Sequence, residues 1–170
     1  MKRVAVLLHN IRSSHNVGSI FRTSDAAGVS EIYLSGYTPR PVDRFGRAQK
    51  EITKTALGAE NTTPWEYATN PRSILSKLKK DGWTIIGVEQ DTRAKDYRSL
   101  KPREKTVFVF GNEVRGISPE IRDQCDGLVE IPMQDAMVRQ AHHPRHSGRG
   151  KESLNVSVAA GIILFSAISR

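Results

Sequence analysis

Five short runs of Val, Ile, Leu and aromatic residues recur along the chain, separated by helical patterns, and this alternation limits the possible folds more than any other feature. The runs are VAVLLH (4–9), EIYLSG (31–36), TIIGVE (84–89), TVFVFGNE (106–113) and LVEIPM (128–133), each short and apolar enough for a buried strand. Between them lie a helical pattern over 16–27 stopped by Gly28, one over 71–80 stopped near Gly82, and one over 118–125. In the last, Ser118 can cap, Pro119 suits the first helical position and Glu120 complements the macrodipole. The alternation predicts an α/β layered domain with a mostly parallel sheet. The 170 residues fit one domain, 1–170, with no linker long enough to divide it.

Two segments could suggest a membrane or an export route, and neither does so. MKRVAVLLHN has too few apolar residues for a signal peptide and reads as the first strand. LNVSVAAGIILFSAI (154–168) is the most apolar stretch, but it is shorter than the ~20 residues that span a bilayer. It predicts a buried helix. Two stretches without periodicity, 36–61 and 134–152, are both basic. The chain as a whole carries +8, with 26 Lys and Arg against 18 Asp and Glu, which favours polyanionic partners and nucleic acid above all. The single cysteine, Cys125, cannot form an internal disulfide or a multi-thiolate metal site, in keeping with a reducing, cytoplasmic compartment.

Three segments carry chemistry. In HNVGSIFRTSDAAG (15–28), Val17, Ile20, Phe21 and Ser24 form the buried stripe and Arg22 lies about 140° from Val17. Arg22 either pairs with Asp25 at i+3 while Asn16 caps the helix, or the helix start faces a ligand. In the second case Gly18 admits a backbone and Arg22 grips a phosphate by its fork geometry. FVFGNEVRGISPE (108–120) runs from a strand into a two-glycine turn and then a helix, where open α/β sheets bind ligands. The chain lacks both G-x-G-x-x-G after a strand and G-x-x-x-x-G-K-[ST], which argues for a cofactor other than the commonest dinucleotides and triphosphates. In the third segment IPM (131–133) is followed, after the basic loop, by ESLNVSVAAGIILF (152–165). Ser153 is the expected helix cap there, and Asn155 is a polar amide that must find partners.

Taken together, N-V-G-S-I-F-R-T-S-D-A-A-G, F-G-N-E-V-R-G, and I-P-M with S-L-N-V-S-V-A-A resemble the three motifs of the SpoU-TrmH branch of the SPOUT methyltransferases, in their usual order. The resemblance implies a homodimeric α/β domain with a C-terminal trefoil knot holding S-adenosylmethionine, and methyl transfer to a ribose 2'-hydroxyl of tRNA or rRNA. By motif position it makes Arg22 the catalytic arginine with Asn16 beside it, Glu113 the motif-two carboxylate, and Ser153 and Asn155 the motif-three polar pair. Gly111, Ile131, Met133 and Leu154 then contact the cofactor. Arg44, Arg47 and Lys54 fall where relatives have a substrate-facing loop.

The clearest departure from the family pattern is the basic insertion of 19 residues between Met133 and Ser153. Its three histidines, His142, His143 and His146, sit among arginines, a poor setting for a cation, so no metal is expected. An alternative from a different class is a catalytically silent RNA-binding relative in which this insertion blocks the cofactor.

Overall fold

The structure, a computed structural model, describes residues 2–133 and 153–168. Its strands are β1 (Arg3–His9), β2 (Glu31–Ser35), β3 (Trp65–Ala68), β4 (Thr84–Val88), β5 (Lys95–Asp96), β6 (Lys105–Phe110) and β7 (Gly127–Glu130). They form one sheet in the order β3-β2-β1-β6-β4-β7-β5, and every neighbouring pair is parallel. The helices are α1 (Ser14–Ala27), α2 (Lys50–Ala56), α3 (Ala59–Thr62), α4 (Pro71–Lys80), α5 (Pro119–Arg122) and α6 (Val156–Ile168).

Side chains of β1 alternate between the two faces of the sheet. Val4, Val6 and Leu8 meet Val17, Ile20 and Phe21 of α1, Ile52 of α2, and Ile163 and Leu164 of α6. Ala5 and Leu7 join Ile74, Leu75 and Leu78 of α4, with Ile117 and Ile121 near α5. Covering both faces explains why the strands read as continuous apolar runs. The α1 stripe follows the sequence reading, and Gly28 ends the helix in the left-handed region at φ 74°, donating its N–H to Asp25 and Ser24 carbonyls.

Several expectations require correction. The stretch 36–61 contains α2 and all but the last residue of α3, both too short to display a period. β3 and β5 are edge strands of four and two residues that carry no apolar run. The strand at 106 stops at Phe110, because the 111–117 turn follows directly. Only 119–122 of the predicted 118–125 is helical, and the Ser118 side chain makes no capping hydrogen bond. Gly18 admits α2 and not a ligand: a Cβ there would stand 2.0 Å from Thr55 Oγ1 and 2.5 Å from the Ile52 carbonyl oxygen. The 154–168 helix begins at Val156 and is buried on one side alone, with Val158 and Phe165 each 49% exposed. Residues 134–152, and with them His142, His143 and His146, lie outside the described residues, so the expected trefoil knot is not traced.

The chain builds β1, β2 and β3 outward in one direction and then crosses to place β4 and β6 on the other side of β1. The resulting switch point, at the carboxyl ends of β1 and β6, is where such sheets form a crevice. His9, the last residue of β1, is buried there with Nδ1 2.8 Å from Ser35 Oγ, while Asn10 Nδ2 donates to its Nε2 at 2.9 Å. That arrangement requires a neutral ring protonated on Nδ1. Burial pulls the His9 pKa below its ordinary 6.5. The stability contributed by the neutral ring is therefore full above that pH and lost as the pH falls through 6.5 toward the lower folded value. Thermal unfolding is expected to show a drop in Tm between about pH 7.5 and about pH 5.5 that His9→Gln flattens.

Candidate active site

The N-terminus of α1 has no acidic residue in its first turn, and its macrodipole is complemented from far away in the chain. The Glu113 carboxylate accepts from the Arg12 N–H at 2.9 Å, the Ser13 N–H at 3.1 Å and Asn16 Nδ2 at 3.1 Å. Ser13 is the N-cap of α1, its hydroxyl accepting from the Asn16 N–H at 3.3 Å. Asn16 is thus not the cap; it stands one turn in and links two segments. Its Oδ1 accepts from Asn155 Nδ2 at 3.1 Å, completing a chain Glu113–Asn16–Asn155 across all three motifs.

Asn155, and not Ser153, caps α6: its Oδ1 accepts from the Ser157 N–H at 2.9 Å and its carbonyl from the Ala159 N–H at 2.9 Å. The same amide therefore performs both the local and the long-range role that the sequence left open. Burial raises the Glu113 pKa, but the N–H groups of Arg12, Glu113 itself and Ser13, with the Asn16 amide, outweigh it and hold the carboxyl below its ordinary 4.5. Glu113→Ala is expected to cost about 1–2 kcal/mol in urea unfolding at neutral pH, given the screening a part-exposed group feels. The cost should fade as the pH drops from 4.5 through the lower folded value, because protonation removes the same contacts.

Beside this chain of amides, at the carboxyl ends of β4, β6 and β7, lies a cavity of about 550 Å³. Val88, Phe110, Ile131, Leu154 and Val156 supply its apolar lining, and Glu89, Asn112, Glu113, Ser153 and Asn155 its polar lining. Gly111, Ile131, Met133 and Leu154 all border it, as do Glu113, Ser153 and Asn155. Its edge is the turn 112–116, closed by hydrogen bonds between the backbones of Asn112 and Gly116 at 3.1 and 2.8 Å. Gly111 has no room for a side chain: a Cβ would lie 2.4–2.5 Å from backbone atoms of Gly116 and Ile117.

Arg22 does not border this cavity. It lies six residues after Asn16, about 9 Å along the helix and about 120° around it. There it shares a surface depression with Ser19, Thr23, Lys54, Thr55 and Phe165. The alternative partner, Asp25, accepts instead from Thr62 Oγ1 at 2.9 Å and Thr63 Oγ1 at 3.4 Å. Lys54 is thereby brought to Arg22, whereas Arg44 and Arg47 line a separate concavity in the 36–49 loop.

Sequence reading missed two side chains of the site. Glu89, at the end of the TIIGVE run, accepts from the Ile117 N–H at 2.7 Å and the Gln90 N–H at 3.1 Å, fixing the far side of the turn. Asn112 donates to the Asn10 carbonyl at 3.1 Å and Tyr37 Oη at 2.9 Å, and its Oδ1 accepts from the Val114 and Arg115 N–H groups. Their position just past strand ends was the available signal. Cys125 stays out of the chemistry, as burial and the Asp126 charge push its thiol up to about 11. Among the described residues no cluster of His, Cys, Asp or Glu could hold a metal ion, and no helix is long and apolar enough to cross a membrane.

A family model described as the SpoU rRNA Methylase family matches residues 3–139. The chain is 31% identical over 167 residues to a 23S rRNA (guanosine-2'-O-)-methyltransferase RlmB of Xanthomonas axonopodis pv. citri, covering 98% of this chain and 59% of that protein. The chain thus spans about three-fifths of the length of the curated relatives it matches. Among solved structures it resembles a TrmH/SpoU tRNA modifying enzyme of A. aeolicus, with 30% identity and TM-score 0.77, over 99% of this chain and 75% of that one. It also resembles an AdoMet-bound rRNA methyltransferase from Sinorhizobium meliloti, with 28% identity and TM-score 0.78, over 96% and 55% respectively.

Proposed function

The chain belongs to the SpoU rRNA methylase family, and on that premise we propose that residues 1–170 act as one S-adenosylmethionine-dependent methyltransferase domain. Its target is a ribose 2'-hydroxyl of tRNA or rRNA in the cytoplasm. The observation that carries this reading is the Glu113–Asn16–Asn155 chain, which ties three distant segments together beside one cavity, with Glu113 and Asn155 on its lining.

The cavity suits the cofactor by size and chemistry. Its volume of about 550 Å³ falls in the ordinary range of small-molecule sites, and its mixed lining offers an apolar slot for an adenine and polar groups for the methionine end. Gly111, Ile131, Met133 and Leu154 would hold it, with Glu89 bracing the turn that forms the wall. When bound, the cofactor supplies a methyl carbon made electrophilic by its sulfonium neighbour.

Glu113 and Asn155, tied together through Asn16, hold one border of the cavity in place and Ser153 adds a hydroxyl to its lining, so the incoming ribose meets donors and acceptors already positioned. Arg22 grips a phosphate next to the target nucleotide and stabilises negative charge growing on the 2'-oxygen. A guanidinium carries five N–H donors and no acceptor, so Arg22 acts by binding and charge, and the hydroxyl proton leaves to solvent. Arg44, Arg47 and Lys54 bind flanking phosphates.

The position of Arg22 outside the cavity calls for a second subunit. α6 is apolar on all sides, yet Val158, Phe165 and Ile168 face outward, with Phe165 beside Arg22. A helix of that kind is ordinarily buried all round. A second copy of the chain covering this face would form the homodimer and bring each Arg22 to its partner's cavity.

The test is transfer of a labelled methyl group from the cofactor to bulk tRNA and rRNA, followed by mapping of alkali-resistant linkages. A ribose-methylated product is expected, and a base-methylated one would refute the assignment. Calorimetry with S-adenosylhomocysteine adds a second arm: absence of both binding and transfer would favour the silent RNA-binding relative.

A further inference from the structure

The loop between β2 and α2 presents an aromatic ring to solvent with no core to hold it. Phe45 is 67% exposed, at the tip of a segment braced from within. Asp43 Oδ1 accepts from the Phe45 and Arg47 N–H groups at 2.8 and 3.0 Å, and Asp43 Oδ2 from Arg47 Nε at 2.8 Å. Val42 and Ala48 form a bridge below the tip, and the Gln49 N–H donates to the Pro41 carbonyl at 2.8 Å. The ring is therefore held out by design of the backbone, and a large apolar group so held is unfavourable in water unless something covers it.

Its surroundings indicate what covers it. The Arg44 and Arg47 guanidinium carbons lie 4.7 and 5.0 Å from the Phe45 ring centroid. Arg40 lies 4.7 Å from the ring centroid of Tyr67 on the wall of the same concavity, which measures about 510 Å³. The acidic side chain in this lining, Asp43, is spent on the loop's own backbone and on Arg47. A ring in a residue 67% exposed, with two guanidinium groups over it, offers stacking and phosphate donors together, which is complementary to a base with its phosphates and mismatched to an apolar protein surface. The concavity also adjoins the candidate active site, since Tyr37 lines it and receives a hydrogen bond from Asn112 at 2.9 Å.

We propose that the 36–49 loop is a preformed site for one unpaired nucleotide of the substrate RNA, with Phe45 stacking on its base while Arg44 and Arg47 bind its flanking phosphates. This rests on the RNA reading and makes it more specific: the substrate is single-stranded beside the methylated position. Stacking requires a base free of its helix, so the site discriminates against a continuous duplex.

Fluorescence anisotropy with a labelled single-stranded ribo-oligonucleotide and a duplex of equal length, without cofactor, tests the idea. Phe45→Leu is expected to weaken single-strand binding about tenfold, with the slope of log K against log salt unchanged and duplex binding unaffected. Phe45→Trp should bind within about twofold of the wild type, since it keeps the π-face. Arg44→Ala should lower the salt slope by about one. Equal loss for both RNAs, no loss in Phe45→Leu, or a change in its oligomeric state by sedimentation would overturn the proposal. If the wild type binds neither RNA, the RNA reading falls with it; if it binds RNA regardless of residue 45, this inference alone fails.

Discussion

Arg22→Ala is expected to slow methyl transfer about a thousandfold while leaving the affinity for S-adenosylhomocysteine within about twofold of the wild type. The separation follows from geometry: Arg22 is exposed and does not line the cavity of its own subunit bordered by Gly111, Ile131 and Leu154, so its removal leaves that lining intact. Holding the ribose in line accounts for much of the barrier, up to roughly 7–11 kcal/mol in well-oriented reactions, and loss of one charged positioning group removes a part of it. Arg22→Lys should recover little, because an ammonium lacks the bidentate fork. Single-turnover rates with calorimetry read both quantities, and parallel losses would assign Arg22 to the cofactor site.

Gly111→Ala is expected to fail in the opposite way, losing cofactor binding by at least about a hundredfold with a stability cost of about 2–4 kcal/mol. A Cβ at this position meets backbone and no side chain that could swing away, with three atoms within 2.5 Å. Relief requires opening the 111–117 turn. That movement strains the paired Asn112 and Gly116 hydrogen bonds and the bond from the Ile117 N–H to Glu89, and it displaces the cavity wall. Unfolding in urea and calorimetric titration measure the two effects. Undiminished binding would mean that this turn does not shape the cofactor site.

The central sheet was legible because burial on both faces leaves no polar alternation, so β1, β2, β4, β6 and β7 stood out as apolar runs. β3 and β5 were not, since an edge strand of two to four residues held by neighbours needs no apolar signature of its own. Gly18 illustrates a different limit. Its spacing on α1 fits a ligand-facing role and a helix contact equally well, and what decides is α2, a helix too short to declare itself.

Within the site, motif resemblance led to Asn16, Glu113 and Asn155, and the structure joins them by hydrogen bonds over separations of 97 and 139 residues. No local pattern predicts such a link. Glu89 and Asn112 escaped notice for the same reason, because their partners are backbone groups of a turn whose shape depends on the whole fold. The outward apolar residues of α6 read as core in the sequence, because a one-dimensional pattern cannot tell a buried apolar face from an exposed one.

The composite site is most directly tested by mixing two inactive subunits, Arg22→Ala and Gly111→Ala, each with its own affinity tag, and assaying the purified mixed dimer. One of its two sites then combines an intact cavity with an intact Arg22 from the other subunit, so methyl transfer at about half the wild-type rate per dimer is expected. A mixed dimer that forms but stays as inactive as its parents would contradict the account, leaving Arg22 either to act within its own subunit or to play no part in the reaction.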